Sequence, residues 1–265
     1  MAGQTQRAVE AQTAYAPGIL PVLSDHNLAP SKKWRGAPSR EQMVASRKKA
    51  WDALGLSLEH SIWTRQVHGD RVWVVGSQDM GSGAYGDAEV EADAIICPNP
   101  DPYMNLAIKG ADCPTLALRC IQSGAIGVVH AGVAGQMNGI IATTVEQMVH
   151  LGAGRDTLEV FVGPFISHYH YRHPRYGERI RFFCDRSCAY LSGGYWHIDQ
   201  EEVIRQELRG AGIDPKNIFF DGRCTYDSPH LISHTQMRER NKEEDGAFQR
   251  GNNVMLIGGC RTISW

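Results

Sequence analysis

Short apolar segments dominate the middle of the chain, and Gly, Pro and Asp residues separate them. Between residues 71 and 130 these segments predict five strands, because each is short and bounded by turn-forming residues. Their sequences are RVWVV, DAIIC, YMNLAI, TLALRC and AIGVVH. Further along, LEVFVG, IFF and VMLI predict three more. Many strands close in sequence, with few long crossovers, favour an α/β or α+β chain built on a mixed sheet.

Apolar residues at helical spacing predict three helices. The first runs from Ser39 to Gly55 and begins with the sequence of a capping box. The second runs from Gln136 to Leu151 and has an apolar face rich in Ile, Val and Met. The third begins at Asp199, a residue type that caps helices well. These helices are expected to pack against the sheet.

The rest of the composition narrows the class of protein. Residues 1–17 are polar and without periodicity, which predicts a loose tail, and residues 18–265 are predicted to form one domain. Apolar residues make up 42% and the formal net charge is -2, so neither a nucleic acid polymer nor a membrane is expected as a partner. The seven cysteines are scattered, which favours a cytoplasmic protein with reduced thiols.

Three side chains stand at the edges of predicted strands and together suggest a metal site. His68 lies in a turn before a strand, Cys113 lies between Asp112 and Pro114, and His130 ends a strand. Two imidazoles and a thiolate suit Zn²⁺, and three protein ligands leave a fourth position open for substrate. Each residue also has an alternative explanation without a metal. His68 would be a loop histidine, Cys113 a buried thiol, and His130 a histidine whose hydrogen bonds are satisfied in a tight turn.

Glycines follow His130 in the sequence HAGVAGQ, just before the second predicted helix. A helix N-terminus presents free N–H groups and a partial positive charge, and glycine lets a ligand approach the backbone. This pattern predicts an anion site around Gly132 and Gly135. A tight strand-to-helix turn without a ligand is the alternative.

Two further groups compete as metal ligands. His168, His170 and His173 lie in HYHYRH, and in a strand the first two would share a face and suit copper. A solvated loop rim is the alternative for this stretch. Cys184 and Cys188 have helical spacing without a second pair, which is more typical of a core. Signatures of serine hydrolases, P-loops, dinucleotide folds and zinc deaminases are absent from the sequence.

The ordered motifs QVHGDRV, EADAI, ADCPTLAL, GVVHAGVAG, VGPFI and RCT resemble the YfiH-like family over about residues 40–258. This family is also called the multicopper polyphenol oxidase or laccase-domain family, and has been described as purine nucleoside phosphorylase. The resemblance implies an α+β fold in which mixed β-sheets form a layered sandwich flanked by helices. It implies zinc held by His68, Cys113 and His130. It also implies phosphorolysis of adenosine, inosine, guanosine or methylthioadenosine, with adenosine deamination as a second activity.

The resemblance also suggests which residues bind the nucleoside and phosphate. Asp112 is the candidate proton carrier for deamination, and the alternative is that it only caps or closes the turn. The candidates for substrate and phosphate are Arg47, Gln66, Gly132, Gly135 and Arg250. The chain departs from the family where Val133 and Ala134 replace Trp and Arg, and Arg172 or Arg238 would have to compensate.

Two other functions stay open at this point. Copper-dependent oxidation of polyphenols is the enzymatic alternative, although a single His-Cys-His trio offers few ligands for the several coppers of laccase-type chemistry. A non-catalytic protein with a structural zinc is the other. It would need a fourth protein ligand, such as Cys224, to close the coordination sphere.

Overall fold

The structure is a computed structural model that describes residues 19–25, 39–86, 88–243 and 252–258. The predicted tail of residues 1–17 and the candidate residue Arg250 lie outside these ranges. The described strands are β1 Ile19–Asp25, β2 Ser61–Trp63, β3 Val72–Val74, β4 Ala94–Cys97, β5 Asn105–Gly110, β6 Thr115–Cys120, β7 Ile126–His130, β8 Leu158–Val162, β9 Arg172–His173, β10 Ala189–Ser192, β11 Tyr195–Ile198, β12 Ile218–Phe220 and β13 Asn252–Gly258. The described helices are α1 Arg40–Ala53, α2 Val133–Met137, α3 Ile140–His150, α4 Glu178–Cys184, α5 Gln200–Gly210 and α6 His234–Glu243.

The strands form three sheets rather than one. A six-stranded mixed sheet has the order β12-β8-β6-β7-β4-β3, and a four-stranded mixed sheet has the order β1-β13-β5-β2. The third sheet, β10-β11-β9, is small and antiparallel. The last predicted strand, VMLI, therefore joins the four-stranded sheet through β5, while IFF pairs in parallel with β8.

The two larger sheets pack face to face and are covered by helices on their outer faces. Along β6, Leu116 and Leu118 face the cluster that α3 and α5 cover, whereas Ala117 faces the other sheet. Along β13, Met255 faces the six-stranded sheet and Leu256 packs towards Trp51 of α1. Such strands are buried on both faces, which explains why they appear in the sequence as continuous apolar runs. The mixed sheets thus form the layered sandwich flanked by helices that the resemblance implies.

All three predicted helices are found, one of them divided in two, while α4 and α6 have no counterpart among the predictions. The side chain of Ser39 caps α1 within a capping box, and Asp199 caps α5, as predicted. The predicted helix from Gln136 to Leu151 forms over most of its length as α3, which carries the predicted apolar face, whereas its first residues belong to the separate helix α2. Gly139, with φ of 74°, adopts a left-handed conformation that ends α2 and starts α3 in a new direction.

Among the described residues, no helix combines the length and the apolar character needed to cross a membrane.

Candidate metal centre

His68, Cys113 and His130 meet at one end of the six-stranded sheet. Their ligand nitrogen and sulfur atoms all lie within 4.8 Å of one another. The two imidazole rings stand edge to face, with ring centres 4.8 Å apart. His68 is exposed, Cys113 is half-buried and His130 is buried. The trio therefore has one side turned to solvent, where a substrate can reach it.

His130 is fixed by a carboxylate that the sequence analysis did not single out. His130 ends β7, and its Nδ1 lies 2.8 Å from Oδ1 of Asp93. Its backbone N–H also donates to the carbonyl oxygen of Asp93 at 2.7 Å. With Nδ1 engaged in this way, Nε2 is the nitrogen that remains for a metal ion. A carboxylate behind a ligating histidine is a common support in metal sites.

Asp93 also shapes the loop that carries His68. Its fully buried carboxylate accepts hydrogen bonds from the backbone N–H groups of Val67, His68 and Gly69, at 2.8 to 3.0 Å. His68 has φ of 63°, a left-handed conformation that is uncommon outside glycine, and these bonds hold it there. The available sequence signal was a charged residue placed directly before an apolar strand, within the EADAI motif.

Gln66 connects the histidine loop to the neighbouring sheet. Its side-chain amide donates to the carbonyl oxygen of Lys109 at 2.7 Å and accepts from the N–H of Lys109 at 2.9 Å. Both ends of this amide are therefore occupied by backbone. The geometry favours a positioning role for Gln66 over direct contact with a substrate.

Cys113 lies in a tight turn between β5 and β6. A Cβ atom on Gly110 would come within 2.7 Å of the Cys113 carbonyl oxygen, so only glycine fits there. Asp112 has φ of 83°, and its carboxylate accepts from the Thr225 hydroxyl at 2.7 Å and from the Thr235 N–H at 2.6 Å. These contacts close the turn that aims the thiol. They favour a positioning role for Asp112 over that of a proton carrier.

The charges of the trio favour a thiolate beside a protonated imidazole, whose proton a metal ion would have to displace. Burial acts to raise the pKa of Cys113, but hydrogen bonds with His130 and His68 outweigh it and lower the pKa to about 6. Burial likewise acts to lower the pKa of His130, but the Asp93 carboxylate and Cys113 raise it to about 9. The thiol therefore loses its proton readily, as a cysteine ligand must. Two imidazoles and a thiolate fit zinc better than they fit a hard cation.

The glycines after His130 serve close packing. A Cβ on Gly132 would lie 3.0 Å from the His68 ring and 3.2 Å from the His130 ring. A Cβ on Gly135 would lie 2.8 Å from the carbonyl oxygen of Gly69. The helix that follows, α2, is only five residues long. Close contacts therefore explain why both positions are glycine. The short helix α2 takes the place of the long helix that was expected to support an anion.

Arg47 is engaged within the protein core. It is buried on α1, donates to the carbonyl oxygens of Gly83 and Ala84 at 2.8 Å, and lies over the ring of Trp63 at 4.2 Å. These contacts tie α1 to the turn between β3 and β4. They favour a structural role over phosphate binding.

Two arginines outside the trio act electrostatically on Tyr171 and His173. Burial raises the pKa of Tyr171, the negative charge of Cys113 adds to this, and Arg179 opposes it. Burial and the charges of Arg179 and Arg238 lower the pKa of His173, whose buried Nε2 has no hydrogen-bond partner among the described residues. The charge of Arg179 thus acts on both residues and that of Arg238 acts on His173, and both arginines are exposed. The side chain of Val133, where the family has Trp, is buried in the cluster under α4.

The histidines of the HYHYRH stretch do not form one metal site, and Cys224 does not join the trio. The HYHYRH stretch forms a turn at residues 168–170 rather than a strand, so His168 and His170 do not share a strand face. His170 instead forms a second group with Cys224 and Asp227. Cys224 therefore belongs to that group and does not close the coordination of the trio.

The two spaced cysteines behave as core residues. Cys184 ends α4, and Cys188 lies beyond the helix with its thiol directed to the carbonyl oxygen of Arg186 at 3.2 Å. Cys188 is buried in the cluster that α4 covers.

Comparisons with known proteins identify the family that this chain resembles and several of its relatives. The family model described as "Multi-copper polyphenol oxidoreductase laccase" matches residues 31–256. A purine nucleoside phosphorylase of Mycobacterium tuberculosis is 29% identical over 193 residues, which are 72% of this chain and 73% of the relative. A purine nucleoside phosphorylase of Deinococcus radiodurans is 32% identical, over 69% of this chain and 68% of the relative.

Solved structures show the same fold. The hypothetical protein YfiH of Bacillus licheniformis superimposes with a TM-score of 0.77 at 22% identity, covering 93% of this chain and 98% of that one. YlmD of Geobacillus stearothermophilus gives a TM-score of 0.77 at 22% identity, covering 94% of this chain and 98% of that one. The family resemblance and the layered fold predicted from the motifs are both confirmed.

Proposed function

The chain belongs to the multi-copper polyphenol oxidoreductase laccase family, and on that premise we propose that it is a zinc-dependent purine nucleoside phosphorylase. The observation that carries this proposal is the convergence of His68, Cys113 and His130 within 4.8 Å, with one side open to solvent. Relatives over about 70% of the chain are purine nucleoside phosphorylases by name, which supports the reaction class.

The trio is the proposed metal site, and Asp93 is its proposed support. Bound there, zinc would supply a Lewis acid beside the purine ring. Asp93 holds the imidazole of His130 with Nδ1 towards the carboxylate, and it also holds the backbone of the His68 loop. Asp112 and Gln66 are proposed as positioning residues, because each is bonded to backbone that shapes the site.

Phosphorolysis breaks the bond between the base and ribose and forms a bond from a phosphate oxygen to the sugar. Phosphate needs placement more than activation in such a reaction. We assign this placement to Arg179 and Arg238, since both are exposed and the charges of both act on His173. The raised pKa of Tyr171 keeps its phenol protonated, so it is available as a hydrogen-bond donor to the substrate.

Adenosine deamination is proposed as the second reaction at the same centre, in which water replaces the amino group of the purine. Adenosine, inosine, guanosine and methylthioadenosine are the proposed nucleosides. No residue beyond the trio is assigned to deamination alone, because the carboxylate of Asp112 is already engaged with Thr225 and Thr235.

Copper-dependent oxidation of polyphenols is the competing function, and the family description itself favours it. Among the described residues, however, the two candidate metal groups contain only three histidines between them. Metal analysis of protein purified without added copper separates the two functions. Zinc bound at the trio supports the phosphorylase, and several coppers per chain with oxidation of phenols would reverse the proposal.

The reaction is tested by incubating the protein with adenosine, with and without phosphate, and separating adenine, inosine and ribose 1-phosphate. We expect phosphate-dependent release of adenine and ribose 1-phosphate by the wild type. Cys113→Ser and His68→Ala should reduce it about 100-fold or more, because each removes a ligand of the proposed metal.

Cys184→Ser is the matched control, since it changes a half-buried cysteine at the end of α4. Its activity should stay within about twofold of the wild type, in line with a substitution away from any special feature. Unchanged adenine release in Cys113→Ser and His68→Ala, with both variants folded, would refute the assignment of the site.

A further inference from the structure

A second group of metal-type ligands lies outside the trio. His170, Cys224 and Asp227 each offer one ligand atom, and these atoms lie within 4.8 Å of one another. His170 comes from the turn at residues 168–170, and the other two come from the turn that follows Asp221 and Gly222. A nitrogen, a sulfur and an oxygen donor form a set that zinc accepts.

The two turns are joined by backbone contacts that fix the thiol. The N–H of Ser167 donates to Sγ of Cys224 at 3.3 Å. Phe165 and Cys224 form an isolated parallel bridge, and Thr225 N–H donates to the Phe165 carbonyl oxygen at 3.1 Å. The Cys224 sulfur is therefore an acceptor held at a defined place, which suits a ligand.

The imidazole of His170 is oriented by its neighbours. Its ring stacks on Tyr226, with ring centres 4.0 Å apart and planes inclined by 10°. The Tyr226 hydroxyl in turn is hydrogen-bonded to the carboxylate of Glu239. Nε2 of His170 lies 2.8 Å from Oδ1 of Asp227. The ring thus directs Nε2 to Asp227, and the Cys224 thiol belongs to the same group.

The His170–Asp227 distance is shorter than the corresponding distance in a zinc site. Ligand atoms around tetrahedral zinc lie about 3.4 Å apart, so the His170–Asp227 pair has to open by roughly 0.6 Å. Asp227 is 59% exposed in its side chain, and such a surface carboxylate can move by that amount. An ion pair between His170 and Asp227 would explain why these two side chains lie together, but it does not explain why the Cys224 thiol lies beside them.

We propose that His170, Cys224 and Asp227 form a second zinc site, whose fourth ligand is water from the exposed side. The turn that supplies Cys224 and Asp227 also supplies Thr225, which donates to Asp112 beside Cys113. The turn that supplies His170 leads directly into Tyr171. The second zinc ion therefore ties together two walls of the first centre, and acts as a positioning element that needs no contact with the substrate.

The proposal is tested by measuring zinc per chain in the full-length protein, saturated with zinc and freed of excess metal. We expect about two zinc ions in the wild type and about one in His170→Ala, in Asp227→Asn and in Cys113→Ser. The double variant His170→Ala/Cys113→Ser should hold almost none. Asp185→Asn, which changes an exposed carboxylate at the end of α4, is the control and should keep both ions.

Alkylation of Cys224 provides a readout independent of stoichiometry. In the Cys113→Ser variant, zinc should protect Cys224 from alkylation by at least about tenfold, because a metal-bound thiolate is not free to react. Asp227→Asn should weaken that protection without unfolding the protein, since the residue is exposed.

Two results would overturn the proposal. One is a zinc content that stays the same in His170→Ala and Asp227→Asn as in the wild type. The other is Cys224 alkylation that zinc does not slow. Loss of zinc in Cys113→Ser reports only on the first centre. A failure of the proposed phosphorylase function can therefore be distinguished from a failure of the proposed second zinc site.

Discussion

The two ligand groups contain a histidine and a cysteine each, yet the fold supports them differently. In the trio, His130 ends β7 while His68 and Cys113 lie in turns, and the fully buried carboxylate of Asp93 backs the group. The surface group of His170, Cys224 and Asp227 stands on two turns, and its carboxylate is itself one of the proposed ligands.

The two groups differ in how firmly the fold fixes the positions of the ligand atoms before an ion binds. In the trio, the Asp93 carboxylate is hydrogen-bonded to backbone N–H groups and to the imidazole of His130. The fold therefore holds these ligands in place. In the surface group the carboxylate and imidazole bond to each other and have to separate around an ion. We therefore expect the trio to be the tighter site, because preorganised ligands lose less freedom on binding.

Asp93→Asn is the strongest test of this comparison. The amide keeps the size of the carboxylate but loses its charge, and its NH₂ group cannot accept the N–H bonds of the His68 loop. We expect zinc affinity at the trio to fall about 10- to 100-fold. The free energy of unfolding should fall by about 2–4 kcal/mol, since a buried network loses its acceptors. Zinc titration and urea unfolding measure the two effects.

Asp227→Asn serves as the matched substitution in the surface group. It should change the free energy of unfolding by no more than about 0.5 kcal/mol, because the side chain is exposed. An Asp93→Asn protein that binds zinc at the trio like the wild type would remove the proposed cause of the difference between the sites.

The sequence predicted the strands and the trio more successfully than the supports of the trio. The strands from DAIIC to AIGVVH form nearly as predicted, because strands buried on both faces consist of apolar residues between turn signals. The trio could be proposed because its residues stand at strand edges and match ordered family motifs. The structure brings them together, while their role as ligands stays a prediction.

The parts that the sequence did not predict depend on contacts between distant residues. Asp93 was missed because its partners are the backbone N–H groups of another loop, which no local pattern reveals. Arg47 was assigned to phosphate by resemblance, yet its donors reach backbone carbonyl oxygens at Gly83 and Ala84. The surface group depends on two turns meeting in space, so the pattern around His170 leaves a shared strand face and a loop rim both open.

Removal of zinc by a chelator gives a second test, of intermediate size. The surface group should release its ion first, at a chelator concentration about tenfold lower than the trio requires, because fewer of its ligand contacts are preorganised. Following zinc release in the wild type should therefore show two phases. His170→Ala should lack the early phase and Cys113→Ser the late one. Release from the trio first would contradict the proposed order of stability.

The smallest expected effect comes from Tyr226, which touches His170 without being a ligand. Tyr226→Phe keeps the stacked ring and loses only the hydrogen bond to Glu239, so zinc affinity at the surface group should fall no more than about threefold. Tyr226→Ala also removes the ring and should cost about 1 kcal/mol, or roughly fivefold, since a stacked aromatic pair contributes about that much. Zinc titrations in the Cys113→Ser background isolate the surface group for both variants. Equal affinities in Tyr226→Ala and the parent would mean that the stack does not orient His170, and the imidazole would then owe its position to Asp227 alone.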